Sequence, residues 1–251
     1  MLQISLGKTL LYTLVLLLEV LVNMLQNNGH SKKPIHLALI PDGNRRFAKM
    51  QGDKPWKGHS FGERKFRDFL DWCLEYPEIK TISVYALSTE NLQRPKEELD
   101  ALWSIYKKAL NDITTDKRVK EHQIKVKVFG DSGVWRPDVK DVVKEAVNST
   151  KNYSRHILNI MLAYGSKLEI NNAVKKVVGK PIQTIDKMLM VSKPIDLVIR
   201  TGGQRRLSNF MLYQASYAEL YFTDTLWPDF SKKEFDKIID WYWEQQKNFG
   251  K

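Results

Sequence analysis

The chain has 251 residues, with 40 lysines and arginines against 29 acids, a formal net charge of +11 and a single cysteine. That length suffices for one large domain with a sizeable core, while the lone Cys73 excludes an intrachain disulfide and points to a reducing compartment. The cationic excess favours anionic partners (nucleic acid, an acidic membrane surface or phosphate-bearing substrates), although most basic residues are interleaved with acids.

Thr9 to Leu25 is strongly apolar, yet Lys8, Tyr12, Glu19, Asn23 and Gln26 are spaced to form a narrow polar stripe on a helix. Glu19 would lie in the middle of a bilayer if this segment spanned one, which is costly. The segment therefore reads as an amphipathic helix that lies on a membrane or packs against the domain, with a transmembrane anchor as the alternative. Residues 1–33 form this helix and a polar link, and residues 34–251 form one domain without internal repeats.

The first strand is Ile35–Ile40, a nearly continuous apolar run that stops at Pro41-Asp42-Gly43-Asn44-Arg45-Arg46. Gly43 allows close backbone approach to a ligand, Asp42 is a carboxylate suited to Mg2+, and the arginines suit phosphate oxygens. Taken alone, an ordinary strand-to-helix turn with Asp42 or Asn44 as N-cap fits the stretch better. Gln51 to Gly62 is Gly-rich, contains His59, and has the chemistry of a mobile flap. An amphipathic helix over Phe66–Leu74 follows, with Cys73 as core filler, then a second buried strand, Thr81–Leu87, ending in Ser88-Thr89-Glu90-Asn91.

Pro95 opens a helix with Glu97 and Glu98 in its first turn, where the dipole favours acids. Its stripe of Leu99, Leu102, Trp103, Tyr106, Leu110 and Ile113 fits either core or the wall of an apolar channel. Ile124–Phe129 alternates with lysines, as a strand near a sheet edge does, and Ile157–Ala163, Ile195–Ile199 and Ala218–Phe222 complete a set of six strands. Ser231 to Glu234 is a capping box that opens a last helix, with Phe235, Ile238, Ile239 and Tyr242 on one face. Strands alternating with helical patterns predict an α/β domain with a mainly parallel central sheet of about six strands flanked by helices. Ligands of such sheets bind beyond strand carboxyl ends, which is where the polar clusters fall.

Arg200-Thr201-Gly202-Gly203 to Ser208 repeats the pattern of the first turn: a strand ends, a Gly pair follows, arginines cluster, and Ser208 is placed to cap a further helix. Two anion-suited turns imply one substrate with several phosphates or two phosphorylated substrates. Neither turn carries a P-loop or dinucleotide fingerprint. Asp42 and Glu219 share a metal if the fold brings them together, and the histidines are too scattered for a zinc site. Nucleic acid is disfavoured because the aromatics sit in apolar stripes rather than among basic residues.

Asp42-Gly43-Asn44-Arg45-Arg46, Gly58-His59, Tyr85 to Asn91 with Arg94-Pro95, Phe129-Gly130-Asp131, Tyr164-Gly165, Asp196 to Gly203, Arg206 to Phe210, and Ala218 to Phe222 with Leu226-Trp227-Pro228 occur in that order. Together they resemble the cis-prenyltransferase family of undecaprenyl and dehydrodolichyl diphosphate synthases, with an archaeal or eukaryotic cast in Arg45-Arg46 and the N-terminal helix. The resemblance implies a Mg2+-dependent transferase that condenses isopentenyl diphosphate sequentially onto farnesyl or geranylgeranyl diphosphate, giving a long polyprenyl diphosphate for a glycosyl carrier lipid. It implies a homodimer in the cytoplasm at a membrane surface, with no nucleic-acid partner; the alternative is a non-catalytic partner subunit of such an enzyme.

Carried over by position, Asp42, Asn44 and Asn91 would be catalytic. Gly43, Asn44, Arg45, Arg46, His59 and Ser88 would bind the allylic diphosphate, and Arg94, Arg200, Arg206 and Ser208 isopentenyl diphosphate. Asp42 and Glu219 would hold the metal. Three positions depart from the family pattern: Arg205 stands where bacterial members commonly have a metal-contacting His, Pro55 replaces an Arg, and Asn248-Phe249-Gly250 replaces Arg-x-Gly.

Overall fold

The computed structural model describes residues 32–179, 181 and 185–245. Expectations for the N-terminal helix and for Asn248 to Gly250 lie outside the described residues. Among the described residues no helix is long and apolar enough to cross a membrane.

The core is a six-stranded, fully parallel sheet of β1 Ile35–Ile40, β2 Ile79–Ser88, β3 Ile124–Phe129, β4 His156–Tyr164, β5 Leu197–Arg200 and β6 Glu219–Phe222, in the order β3-β4-β2-β1-β5-β6. The edge position expected for the lysine-alternating strand is where β3 lies. The helices are α1 Asn44–Met50, α2 Gly58–Leu74, α3 Lys96–Ile113, α4 Lys117–Glu121, α5 Pro137–Ser149, α6 Ser166–Val177, α7 Ile185–Met188 and α8 Lys232–Glu244. The Ser231 hydroxyl caps α8 by accepting from the Glu234 amide at 3.2 Å, as the capping box predicts.

Successive residues of a strand face opposite sides, and β1 shows both cores at once. Ile35, Leu37 and Leu39 pack with Phe69 and Cys73 of α2 and Phe235, Ile238 and Ile239 of α8. Ala38 and Ile40 pack on the other side with Met161, Phe210 and Met211. Burying β1 on both faces explains why its sequence is a continuous apolar run rather than an alternation.

The topology selects the place for a site. From β1 the chain moves to β2 on one side, whereas from β5 it moves to β6 on the other, and β1 and β5 are neighbours. Their carboxyl ends flank the point where the winding reverses, the crevice in which such sheets bind ligands. Ile40 and Arg200 are in register across that pair, so Asp42 and Arg200 meet there.

The stretch expected to be a flap is instead largely helical: Pro55–Lys57 is a 3-10 turn and α2 begins at Gly58. Gly58 and Gly62 serve close packing. A Cβ on Gly58 would lie 1.9 Å from the Asn44 carbonyl oxygen, and one on Gly62 would lie 2.2 Å from Asn44 Oδ1.

Candidate active site

The turn after β1 is held open by Gly43, whose φ of 114° is left-handed and whose missing side chain leaves room for Leu226, 2.9 Å from where a Cβ would stand. Neither Asp42 nor Asn44 caps α1; Gly43 occupies that position. The Asp42 carboxylate instead faces the end of β5. Its Oδ2 accepts from Arg200 Nη2 at 2.9 Å, and Oδ1 takes a longer contact of 3.4 Å from Arg46 Nη2. The Asp42 carbonyl accepts from Thr201 Oγ1 at 2.8 Å and from the Trp227 amide at 3.0 Å, so three segments fix this one residue.

Arg200 is buried, which is unusual for an arginine and requires its charge to be met. Besides Asp42, its Nη1 donates to the Arg206 carbonyl and to Ser208 Oγ, the latter at 2.8 Å. Ser208 therefore serves Arg200 rather than capping a helix: residues 207–218 form turns, and Ser208 and Asn209 have φ of 49° and 64°. Holding two non-glycine residues there costs free energy that the surrounding bonds must offset. Asn209 Nδ2 donates to Glu90 Oε1 at 2.8 Å and Tyr85 Oη to the Ser208 carbonyl at 3.2 Å, tying this loop to the end of β2.

On the opposite wall, Ser88 and Asn91 clasp each other: the Asn91 amide donates to Ser88 Oγ at 3.1 Å and the Ser88 amide to Asn91 Oδ1 at 3.4 Å. Glu98, assigned from sequence only a dipole role, is buried and gathers three cationic or polar partners at its Oε1. Arg94 Nη1 lies at 3.0 Å, His59 Nε2 at 3.3 Å and Arg45 Nε at 3.5 Å. Burial, aided by the neighbouring arginines, holds the His59 imidazole below its ordinary pKa despite the Glu98 hydrogen bond. No spacing rule would single out Glu98 from Glu97 beside it.

These groups ring the mouth of a cavity of about 770 Å³. Asp42, Asn44, Arg45, Arg46, His59, Ser88, Asn91, Arg94, Arg200, Arg206 and Ser208 all line it. Much of its wall is apolar, formed by Phe66, Leu70 and Leu74 of α2, by Leu102, Tyr106, Leu110 and Ile113 of α3, and by Leu158, Ile160 and Leu162 of β4, while the ion-paired Glu63, Arg67 and Asp112 and the Asp116–Arg118 pair also line it. Part of the α3 stripe is therefore channel wall, while Trp103 is core.

Glu219 is the expected site residue that the chain does not bring in. It opens β6 in register with Leu197, three residues short of Arg200, or roughly 10 Å back along the strand. Its amide donates to the Asp196 carbonyl, and it does not line the cavity. Among the described residues no group of three or more His, Cys, Asp or Glu is placed to hold a metal. Asp42 by itself still fits Mg2+, which takes one or two carboxylates plus substrate phosphates. Its carboxylate is about one-third exposed at the mouth, and Oδ1 has only the 3.4 Å contact.

A polar rim rich in guanidinium groups over a deep apolar cavity suits a molecule with an anionic head and a long hydrocarbon tail. Residues 40–250 match a family model described as putative undecaprenyl diphosphate synthase. The chain is 42% identical over 232 residues, 87% of each chain, to the tritrans,polycis-undecaprenyl-diphosphate synthase (geranylgeranyl-diphosphate specific) of Pyrococcus horikoshii. It is 38% identical to the enzyme of that name from Pyrobaculum aerophilum, over 89% of this chain and 99% of the relative. Among solved structures, a probable undecaprenyl diphosphate synthase from Campylobacter jejuni superposes with TM-score 0.75 at 29% identity, covering 88% of this chain and 100% of that one. Lavandulyl diphosphate synthase from Lavandula x intermedia, in complex with dimethylallyl diphosphate, gives TM-score 0.78 at 28% identity, covering 87% and 99%.

Proposed function

Since this chain belongs to the undecaprenyl diphosphate synthase family and is a cis-prenyltransferase, we propose that it extends geranylgeranyl diphosphate by repeated addition of isopentenyl diphosphate to a long-chain polyprenyl diphosphate. The observation that carries the reading is the junction of the Asp42–Arg200 pair with the apolar cavity of about 770 Å³ behind it. The relatives' specificity for geranylgeranyl diphosphate supports that starter.

In each cycle the allylic carbon–oxygen bond breaks, a bond forms from that carbon to the terminal methylene of isopentenyl diphosphate, and a proton leaves the isopentenyl unit. Negative charge gathers on the departing diphosphate, so oriented donors there lower the barrier most. Gly43, Asn44, Arg45, Arg46 and His59 hold the allylic diphosphate, with Asp42 as the protein ligand of its Mg2+. That ion supplies charge neutralisation for the leaving group. Arg94, Arg200, Arg206 and Ser208 hold isopentenyl diphosphate, and the Ser88–Asn91 clasp sets its double bond against the allylic carbon. Glu98 orients Arg94, Arg45 and His59 together and so couples the two subsites. The apolar walls of α2 and α3 take the tail and keep water from the reacting carbon.

We further propose a homodimer. β6 is a sheet edge, and Leu212, Tyr213, Tyr217 and Leu220 are exposed large apolar residues in or near it. Unpaired edges with apolar neighbours call for a cover. The apolar product supports placement at a membrane surface, and the lone cysteine supports a reducing, cytoplasmic compartment.

The test is turnover of purified protein with Mg2+, geranylgeranyl diphosphate and labelled isopentenyl diphosphate, with products sized by mass. Extended cis-polyprenyl diphosphates are expected. No extension from any allylic starter would move the chain to the role of a non-catalytic partner subunit.

A further inference from the structure

Six carboxylates line the cavity, and five of them meet a guanidinium: Asp42 with Arg200, Glu63 and Asp112 with Arg67, Glu98 with Arg94, and Asp116 with Arg118. Glu90 is the sixth, and among the described residues it makes no ion pair. Its charge is not neutralised by a fixed cation.

Its hydrogen bonds come from neutral donors. Asn209 Nδ2 donates to Glu90 Oε1 at 2.8 Å and Thr89 Oγ1 to Oε2 at 3.1 Å. Asn209 cannot turn its amide round, because its Oδ1 accepts from the Lys167 amide at 2.9 Å. Gly165 lets these groups close up: a Cβ there would stand 2.7 Å from both Asn209 Nδ2 and Thr89 Oγ1. The surroundings are thus built for the acceptor oxygens of a carboxylate. Burial acts to raise the Glu90 carboxyl, but hydrogen bonds from Asn209, its own amide, Ser88 and Thr89 outweigh it and hold the group below the ordinary carboxylate range. Glu90 is therefore ionised at neutral pH.

The connection inward runs through Ser88. That residue is buried, and its Oγ accepts from the Asn91 amide at 3.1 Å, which leaves the hydroxyl proton for another acceptor. The Glu90 carboxylate and the Tyr85 phenol oxygen both share hydrogen bonds with it. Tyr85 stays neutral, since burial and the neighbouring Glu90 push its phenol up. Glu90 is the one of the two that is charged and exposed to solvent.

On the polyprenyl reading above, every addition releases one proton. The allylic carbon–oxygen bond breaks with its electron pair leaving on the diphosphate, and the terminal methylene of isopentenyl diphosphate bonds to that carbon. Positive charge then falls on the branched carbon of the isopentenyl unit. It is quenched when a carbon–hydrogen bond of the inner methylene breaks and its electron pair becomes the new double bond. Such a bond, beside a cationic centre, is far more acidic than a carboxylic acid, so the acceptor need only be ionised and near. A base sealed from solvent would stay protonated after the first addition, so repeated additions need one in touch with water.

We propose that Glu90 takes up this proton through the Ser88 hydroxyl and passes it to solvent. Ser88 Oγ receives the proton of the inner methylene as its own proton moves to a Glu90 oxygen, and water removes the latter before the next addition.

The test compares wild type with Glu90→Gln, which keeps the shape and an acceptor for Asn209 but is no longer a base, using isopentenyl diphosphate deuterated at the inner methylene. Glu90→Gln is expected to lose about 100-fold in kcat, to keep KM for isopentenyl diphosphate within about threefold, and to show a larger isotope effect than wild type. Glu90→Asp should recover part of the rate, and Ser88→Ala, which breaks the relay at its inner end, should enlarge the isotope effect too. Asn209→Gly tolerates the left-handed backbone but gives up the bond to Glu90, so it should raise KM and leave the isotope effect at the wild-type value. Turnover and isotope effect unchanged in Glu90→Gln would overturn the proposal and leave a diphosphate oxygen as the acceptor. So would the full Glu90→Gln pattern reappearing in Asn209→Gly, since the carboxylate would then only hold the loop. Wild type that extends normally separates either failure from that of the polyprenyl reading, which shows as no extension at all.

Discussion

Replacing Asp42 by Ala tests both what holds the site together and what it does. Arg200 is 4% exposed and has Asp42 as its carboxylate partner, so the substitution strands a buried guanidinium. Removing one member of a buried pair costs about 3–5 kcal/mol. Here the loss is moderated because Arg200 keeps the Arg206 carbonyl and Ser208 hydroxyl, and because the Asp42 side chain is 32% exposed. A loss of about 2 kcal/mol is expected, which lowers Tm by roughly 4–8 °C for a domain of this size. Asp42→Asn keeps an acceptor for Arg200 Nη2 and should lose less than half as much.

Turnover should behave differently. If Asp42 neutralises the leaving diphosphate through its metal, Asn fails nearly as badly as Ala. Both should lose at least about 10³-fold in kcat/KM, or roughly 4 kcal/mol of transition-state stabilisation. The assay is incorporation of labelled isopentenyl diphosphate at fixed Mg2+, with Tm followed on the same preparations. Asn restoring stability but not turnover supports the reasoning. Either variant turning over within tenfold of wild type would refute the metal role, and an unchanged Tm in Asp42→Ala would refute the pairing argument.

Glu98→Ala should raise KM for both substrates and lower kcat/KM by about 100-fold, with partial rescue by Gln, because Arg45, His59 and Arg94 lose a shared anchor. An effect confined to one substrate would contradict the coupling of the two subsites. Gly58→Ala should destabilise by about 3 kcal/mol in urea titration, since its Cβ meets backbone of Asn44 at 1.9 Å, whereas Gly52→Ala, open but at φ 74°, should cost about 1 kcal/mol. His36 is buried between the Pro194 carbonyl and Ser83 hydroxyl, and burial lowers its pKa from 6.5 to about 4. The unfolded chain therefore takes up this proton first. Its contribution is complete above pH 6.5 and declines by about 3 kcal/mol as pH falls to about 4, a slope that His36→Asn should flatten in unfolding titrations.

The sheet was readable because a strand buried on both faces must be apolar throughout, as Ile35–Ile40 is, while an edge strand alternates, as Ile124–Phe129 does with its lysines, and both begin and end in the structure where the sequence places them. The carboxyl-end turns were readable for a related reason: polar residues directly after such a run cannot be core. Other features have no local signature. Glycines in Gln51 to Gly62 resemble flexible-loop glycines, yet Gly58 and Gly62 are there so that α2 can lie against Asn44. Ser208 followed by a helix-like pattern resembles a cap, but its hydroxyl is needed by Arg200 eight residues earlier. Glu98 differs from Glu97 only in which way it faces, and that depends on where α3 lands. Glu219 could not be placed from its motif, because strand register sets whether it reaches the carboxyl end.

The surroundings of the Asp42–Arg200 pair also bear on how the proposed site would receive two anions. Arg200 Nε and Asn44 Oδ1 are buried without a hydrogen-bond partner among the described residues, and both residues line the cavity. Leaving such an atom unpaired costs about 1–3 kcal/mol, and a native fold bears that cost chiefly where a ligand recovers it. On the proposed function, a phosphate oxygen would meet Nε without disturbing the two Arg200 bonds to the Arg206 carbonyl and Ser208, so the guanidinium would not need to reorient. Gly202 makes the approach feasible. At φ 81° it leaves Arg46 Nη2 room where a Cβ would stand at 2.6 Å, and its carbonyl accepts from that same Nη2 at 2.6 Å. The two turns proposed to bind anions are therefore joined directly, by Arg46 on Gly202 and by Asp42 on Arg200. Two diphosphates brought together, as the proposed reaction requires, would repel each other, and cations already ordered at the switch point would offset that repulsion before substrate arrives.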